Sequence, residues 1–138
     1  MTVSRTLAAA LVAAGFSLGF ASPAWADNLS GTYSLNLSGA PGGHTSWVAT
    51  STCPPAAGCV AHIISSSGWS GEAQLVGDHW TMTVSRPDGQ SCPDGTRHSE
   101  VQTWSWDATT LAGQVSGVST DPAACPHSAP DSFALTKL

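Results

Sequence analysis

Four cysteines carry the most defined chemistry in the sequence: Cys53, Cys59, Cys92 and Cys125. An even number of cysteines behind a secretory leader is typical of disulfide pairs in a small exported protein. A zinc site is not predicted, because five residues separate Cys53 from Cys59, whereas zinc ligands are usually about two to four apart. We therefore expect two disulfides and no metal, with three pairings open at this point.

Tryptophans form the second group of interest, and five of them follow residue 26. Trp104 and Trp106 share one strand face, since side chains alternate along a strand. Trp80 is expected to face the same way from a neighbouring strand, and Trp69, among glycines, is predicted to be the most exposed. Tryptophans usually fill cores, but an exposed set would stack against a sugar ring, a peptide or a lipid. The candidate ligand-binding residues are Trp69, Trp80, Trp104 and Trp106.

No catalytic constellation is recognisable in the sequence. The segment Gly68-Trp69-Ser70-Gly71 lacks the G-x-S-x-G spacing of a nucleophile elbow. Phosphate loops and dinucleotide fingerprints are missing as well, so no cofactor is predicted. Both glutamates, Glu72 and Glu100, are expected to face solvent, and His62 is expected to be half-buried in an apolar run.

Short β-rich runs broken by Gly, Pro, Asn and Asp must position these residues, because the sequence has no helical periodicity. Two turn signals, Pro87-Asp88-Gly89 and Pro93-Asp94-Gly95, mark the longest irregular stretch. The eight predicted strands are 31–38, 46–53, 59–65, 71–76, 79–86, 100–107, 109–120 and 132–138.

Eight short strands with short connections predict an all-β antiparallel meander, closed as a barrel or folded as a sandwich. In such a meander, alternate loops lie at opposite ends. Cys53 and Cys59 flank the second loop, whereas Cys92 and Cys125 lie in the fifth and seventh loops at the other end. This order favours the pairs Cys53–Cys59 and Cys92–Cys125.

The interior of the predicted domain is small. Eight strands enclose space for packed side chains or for one small ligand. The five tryptophans take up much of that space, so we expect a filled core with at most a shallow pocket at one mouth.

The N-terminal segment predicts a secretory signal peptide over residues 1–26 and a secreted β domain over 27–138. Arg5 precedes an uncharged apolar run, and Ala24-Trp25-Ala26 supplies the small residues that precede cleavage. No transmembrane segment is expected. Only three basic residues follow Arg5, against nine acidic ones, so nucleic acid is not predicted as a partner.

Five short motifs distributed over most of the chain carry a resemblance: Cys53-Pro with Cys59-Val-Ala, Leu75-Val with Trp80-Thr, Cys92-Pro-Asp-Gly-Thr96, Trp104-Ser-Trp-Asp-Ala-Thr-Thr-Leu-Ala-Gly113 and Phe133-Ala-Leu-Thr136. The chain resembles a group of small exported mycobacterial proteins of unknown function. Similar modules form the extracellular ends of some mycobacterial serine/threonine kinases. The resemblance implies a secreted or cell-envelope location and an extracytoplasmic binding or sensing role, and it implies no catalytic residue.

These observations favour an exported, non-enzymatic binding or sensing module whose ligand is an unidentified protein, glycan or lipid. A structural or interaction protein of the envelope without a small ligand is the alternative. A small secreted hydrolase is the third interpretation, and it would need a cleft that holds a base within about 3 Å of a nucleophile. The sequence leaves the oligomeric state open.

Overall fold

A computed structural model of the protein describes residues 28–40, 42–55, 57–121, 123–126 and 130–138. The predicted signal peptide lies outside these residues. The described chain forms eight strands: β1 (Gly31–Leu37), β2 (Thr45–Thr52), β3 (Val60–Ser65), β4 (Ser70–Val76), β5 (His79–Ser91), β6 (Arg97–Asp107), β7 (Ala112–Ser119) and β8 (Asp131–Lys137). Within the same residues, no helix is long and apolar enough to cross a bilayer.

The strands close into an antiparallel barrel in which each strand pairs with its neighbours in sequence. The sheet is closed by β1 and β8, where Leu35 lies opposite Leu135. The all-β meander is therefore confirmed, and of the two predicted arrangements the chain adopts the barrel. Closure pairs both edges of the sheet, which removes the open backbone groups that promote aggregation.

Alternation along the strands separates an apolar inside from a polar outside. On β5, Trp80, Met82 and Val84 are buried while Thr83 and Ser85 are exposed. At the centre of the core, Trp47 is fully buried and its ring centroid lies 5.1 Å from that of Trp104 and 5.6 Å from that of Trp106. The core therefore consists largely of indole rings in edge-to-face contact.

Strand β5 is longer than predicted, because the expected turn at 87–89 is a β-bulge inside the strand. The register with β6 shifts between Arg86 and Gln90, and the chain turns only at 92–96. A bulge tolerates a proline because one residue there is left out of the hydrogen-bond ladder. The second turn signal, Pro93-Asp94-Gly95, is the one that forms the hairpin.

His62 is exposed on the outer face, so the half-buried position expected for it is wrong. The inward positions of β3 are Ala61, Ile63 and Ser65, and His62 alternates with them. The apolar run misled the prediction because Ile64, two residues further on, is also about half exposed.

The two ends of the barrel differ in how they are covered. The plugged end comprises the loop residues 53–55, 57–59, 77–78 and 108–111 together with the buried side chain of Leu29. The cavity end comprises the loop residues 38–40, 42–44, 66–69, 92–96, 120–121, 123–126 and 130. One disulfide lies at each end, and both predicted pairs are confirmed: Cys53–Cys59 at the plugged end and Cys92–Cys125 at the cavity end.

Candidate functional site

A cavity of about 260 Å³ lies within the barrel at the cavity end. Its apolar wall comes from Leu35, Leu37, Trp69, Trp104 and Val115. Its charged and amide side chains come from β5, β6 and β8 and are Arg86, Gln90, Glu100, Gln102 and Asp131. A concave site with an apolar wall and a few convergent polar groups is the usual form of a small-molecule site.

Two tryptophans form the aromatic part of the wall. Trp104 projects inward from β6 and is 4% exposed, while Trp69 ends the β3–β4 loop and is half-buried. Their ring centroids are 5.8 Å apart with an interplanar angle of 32°. Trp47 supports both rings from the core, with centroid distances of 5.7 Å to Trp69 and 5.1 Å to Trp104. The wall is therefore held rigidly by packing.

Among the described residues, Arg86 is the one basic side chain in the cavity wall. Its guanidinium carbon lies 5.7 Å from the ring centroid of Trp69, which is a cation–π contact. Glu100 is its direct cross-strand neighbour, yet among the described residues no carboxylate lies within ion-pair distance of the guanidinium. The donors of Arg86 are therefore not neutralised by an acidic partner in that part of the chain.

Glu100 lies inside the cavity, so the solvent-facing position expected for it is wrong. Its carboxylate rests against the backbone of Gly117, where an added Cβ would come within 2.4 Å of Oε2. Glu100 also accepts a 2.6 Å hydrogen bond from Nε2 of Gln102. The other glutamate, Glu72, is exposed as expected.

The amides of Gln90 and Gln102 have a fixed orientation. Gln90 Nε2 donates to the carbonyl oxygen of Cys125 at 3.0 Å, and Gln102 Nε2 donates to Glu100. Both partners only accept, so each amide must present its NH₂ group to them and its carbonyl oxygen elsewhere. Both Oε1 atoms are buried and have no hydrogen-bond partner among the described residues, and the same holds for Nε1 of Trp104. In this part of the chain, three buried polar atoms of cavity residues thus lack a partner, as do Nε1 of Trp47 and Nε1 of Trp106 in the core.

The structure brings two of the four candidate tryptophans together in the cavity wall, Trp69 and Trp104. Trp80 and Trp106 are buried in the core, with ring centroids 6.5 Å apart, and do not line the cavity. The polar residues of the cavity were missed. The alternation that puts Trp104 and Trp106 inside also puts Gln102 and Glu100 inside, so this signal was present for β6.

A hydroxyl–imidazole–carboxylate chain lies outside the cavity wall. Thr96 Oγ1 is 2.9 Å from Nε2 of His98, whose Nδ1 is 2.8 Å from Oδ2 of Asp121. However, Thr96 Oγ1 is also 2.6 Å from Oδ1 of Asp94, and a carboxylate can only accept. The single hydroxyl hydrogen therefore goes to the carboxylate of Asp94 and not to Nε2 of His98. This arrangement links the β5–β6 hairpin to the loop between β7 and β8, and it does not activate the hydroxyl of Thr96 as a nucleophile.

The carboxylates of Asp94 and Asp121, which take part in these hydrogen bonds, are held in their charged form. The backbone N–H of Ala123, followed by the bond to His98, lowers the pKa of Asp121 below its ordinary value. Hydrogen bonds from the side chain and backbone of Thr96 likewise lower the pKa of Asp94. Bonds to an ionised carboxylate stabilise that form, so these aspartates remain anionic in mildly acidic solution.

Potential metal ligands meet at the plugged end. The ligand atoms of Asp78, His79 and Asp107 lie within 4.8 Å of one another. Asp107 already accepts the backbone N–H groups of Thr109 and Thr110, which form the turn after β6. The turn and the 2.8 Å contact between Asp78 and His79 account for this group without an ion.

The fold and cavity together define a small disulfide-linked, eight-stranded meander barrel with a site at one mouth. In comparisons with known proteins, no protein family, no curated protein and no solved structure matches this chain.

Proposed function

We propose that the protein is an exported, non-enzymatic binding module that takes one small ligand in the cavity. The observation that carries this proposal is that three buried polar atoms of cavity-lining residues have no partner among the described residues: Gln90 Oε1, Gln102 Oε1 and Trp104 Nε1. An unsatisfied buried polar atom costs about 1–3 kcal/mol. A ligand whose binding opens any of these closed atoms to a hydrogen bond would recover part of that cost.

Rigid support of the polar groups favours binding over simple packing. Gln90 is 8% exposed and is tied to the carbonyl of Cys125, whose sulfur is bonded to Cys92. Gln102 is tied to Glu100, which is packed against Gly117. Groups held in one orientation before the ligand arrives lose little entropy on binding.

The proposed location outside the cytoplasm rests on the leader sequence and the disulfides. Residues 1–26 have the order of features of a secretory signal peptide. Two disulfides are typical of proteins that mature in oxidising compartments. The resemblance to exported mycobacterial proteins agrees with the same location.

A ligand screen monitored by thermal unfolding and tryptophan emission tests the binding proposal. A ligand stabilises the folded state in proportion to its concentration over its dissociation constant, so a binder raises the melting temperature. It should also shift the emission of Trp69 or Trp104. The screen covers sugars, amino acids, nucleosides and fatty acids.

The matched variants for this screen are Trp69→Ala in the cavity wall and Ile64→Thr on the outer face. We expect Trp69→Ala to weaken the response to a hit and Ile64→Thr to leave it unchanged. Absence of any stabilising ligand would contradict the proposal. That result would favour the interaction-protein alternative, for which the exposed cross-strand pair Val48 and Ile64 offers an apolar contact.

A further inference from the structure

The polar groups of the cavity wall include both hydrogen-bond acceptors and donors, and they lie on the adjacent strands β5 and β6 and on β8. From this distribution we infer that the ligand is a neutral polyhydroxylated ring, either a free monosaccharide or a single sugar residue of a glycan. This inference rests on the proposed binding function and specifies its ligand.

Acceptors predominate in the wall. The buried side-chain carbonyl oxygens of Gln90 and Gln102 have no donor among the described residues, and the carboxylates of Glu100 and Asp131 add further acceptor sites. Ser38 Oγ donates to Asp131 Oδ1 at 2.9 Å, and Gln102 donates to Glu100 Oε1. An ionised carboxylate has about four acceptor positions, so both side chains retain capacity for a ligand.

Donors are also present and unmatched. Nε1 of Trp104 is buried without an acceptor, and the guanidinium of Arg86 has no acidic partner among the described residues. A hydroxyl group both donates and accepts, so several hydroxyls on one ring can serve both sets at once. An ammonium group only donates, and a carboxylate or phosphate only accepts. The two anionic carboxylates would also repel an anionic ligand.

The positions of the acceptors disfavour an amino acid, which is the strongest competing chemistry. Gln102 and Glu100 are on β6, Gln90 is on the adjacent strand β5 and Asp131 is on β8, so the acceptors form two groups in the wall. An α-ammonium group presents its three hydrogens from one atom. The hydroxyls of a sugar project from several ring carbons, so one ring can reach both groups of acceptors.

The aromatic wall and the size of the cavity agree with a sugar ring. Trp69 and Trp104 present indole surface beside the polar groups, and the C–H surface of a sugar ring is apolar. The volume of about 260 Å³ equals that of roughly nine liquid waters. That space suits one ring with its substituents.

Calorimetric titration of the purified protein with neutral sugars tests the inference. The probes are glucose, galactose, mannose and N-acetylglucosamine, each also as its methyl glycoside. We expect at least one of them to bind with a millimolar or lower dissociation constant. Equal binding of the methyl glycoside would indicate a glycan residue, whereas binding of the free sugar alone would indicate a monosaccharide ligand.

Two matched glutamine variants, one in the cavity and one on the outer face, test whether the sugar binds in the cavity. Gln102→Leu removes the buried acceptor and should weaken binding at least tenfold. Gln74→Leu makes the same change on the exposed face of β4 and should leave binding unchanged. Thermal unfolding checks that both variants fold. Trp69→Phe provides a second variant in the cavity and should weaken binding severalfold by reducing the stacked surface.

The contradicting outcomes separate this inference from the proposed function. If only amino acids or fatty acids bind, and Gln102→Leu or Trp69→Phe weakens that binding, the polyhydroxyl inference is wrong and the binding proposal stands. If no neutral sugar and no other probe binds, both are wrong. Sugar binding that is unaffected by both cavity variants would also overturn the inference, because the ligand would then lie elsewhere.

Discussion

The plugged end and the cavity end are built from the same eight strands, yet their inward positions carry different residues. Along β6 the inward series runs from Trp106 and Trp104 to Gln102 and Glu100 as the strand is followed towards the cavity end. Along β5 it runs from Trp80, Met82 and Val84 to Arg86. The plugged end therefore supplies most of the packing, and the cavity end carries polar groups that packing alone does not explain.

Replacing one tryptophan at each end should give the largest difference in stability between the two ends. Trp106 is fully buried and Trp69 is half-buried. Trp106→Ala should lower the free energy of unfolding by about 3–5 kcal/mol, because it leaves a large cavity in the core. Trp69→Ala should cost only about 1–2 kcal/mol, in the ordinary range for a partly exposed site. Denaturant unfolding measures both values, and equal losses would contradict the division between the ends.

Removing the disulfide at each end gives the second comparison, in both stability and ligand binding. Replacing Cys92 and Cys125 by serine should lower the free energy of unfolding by about 3.8 kcal/mol, against about 2.4 kcal/mol for Cys53 and Cys59, because the first pair closes the longer loop. Only the first change should also weaken ligand binding, through the bond between Gln90 and Cys125. Ligand binding that is lost equally in both double variants would contradict this link.

Removing a buried acceptor should have a small effect on stability. Gln102→Leu loses the bond to Glu100 but also removes an unsatisfied carbonyl oxygen. Because these changes oppose each other, the free energy of unfolding should change by no more than about 1 kcal/mol. A loss above about 2 kcal/mol would mean that Gln102 is a structural residue, and would weaken the functional interpretation of the cavity end.

Acid should destabilise the cavity end through Asp121. The pKa of this carboxyl is lowered in the folded state, so the unfolded chain binds more protons between the folded pKa and the unfolded value of about 3.9. The stabilisation is therefore present above about pH 4 and is lost as the pH falls through the folded pKa. Asp121→Asn should lower stability at neutral pH and reduce the loss on acidification. An unchanged pH profile of unfolding would refute this role.

Much of the fold could be predicted from the sequence because alternation and turn residues are local signals. The eight strands, their antiparallel order and both disulfide pairs are confirmed. Barrel closure could not be predicted, since it depends on the long-range pairing of β1 with β8. The bulge at 87–89 was missed because Pro-Asp-Gly favours both a turn and a bulge, and only the register with β6 distinguishes them.

The candidate site was predicted only in part. The prediction relied on aromatic residues. It grouped Trp69 and Trp104 with Trp80 and Trp106, although the latter two are core residues. Alternation on β6 could have put Glu100 inside, but its charge argued for solvent. The inward position of Gln90 could not be predicted, because it lies after the bulge, where the register with β6 changes.

Resonances of the tryptophan indole N–H groups test the central claim most directly. Nε1 of Trp104 and Nε1 of Trp106 are both buried and have no partner in the described part of the chain, but of these two residues only Trp104 lines the cavity. In a two-dimensional ¹H–¹⁵N spectrum recorded during titration with a neutral sugar, the Trp104 indole signal should shift strongly and the Trp106 signal should stay in place. Equal shifts of both signals, or no shift of Trp104 at saturation, would contradict a ligand site at the cavity end.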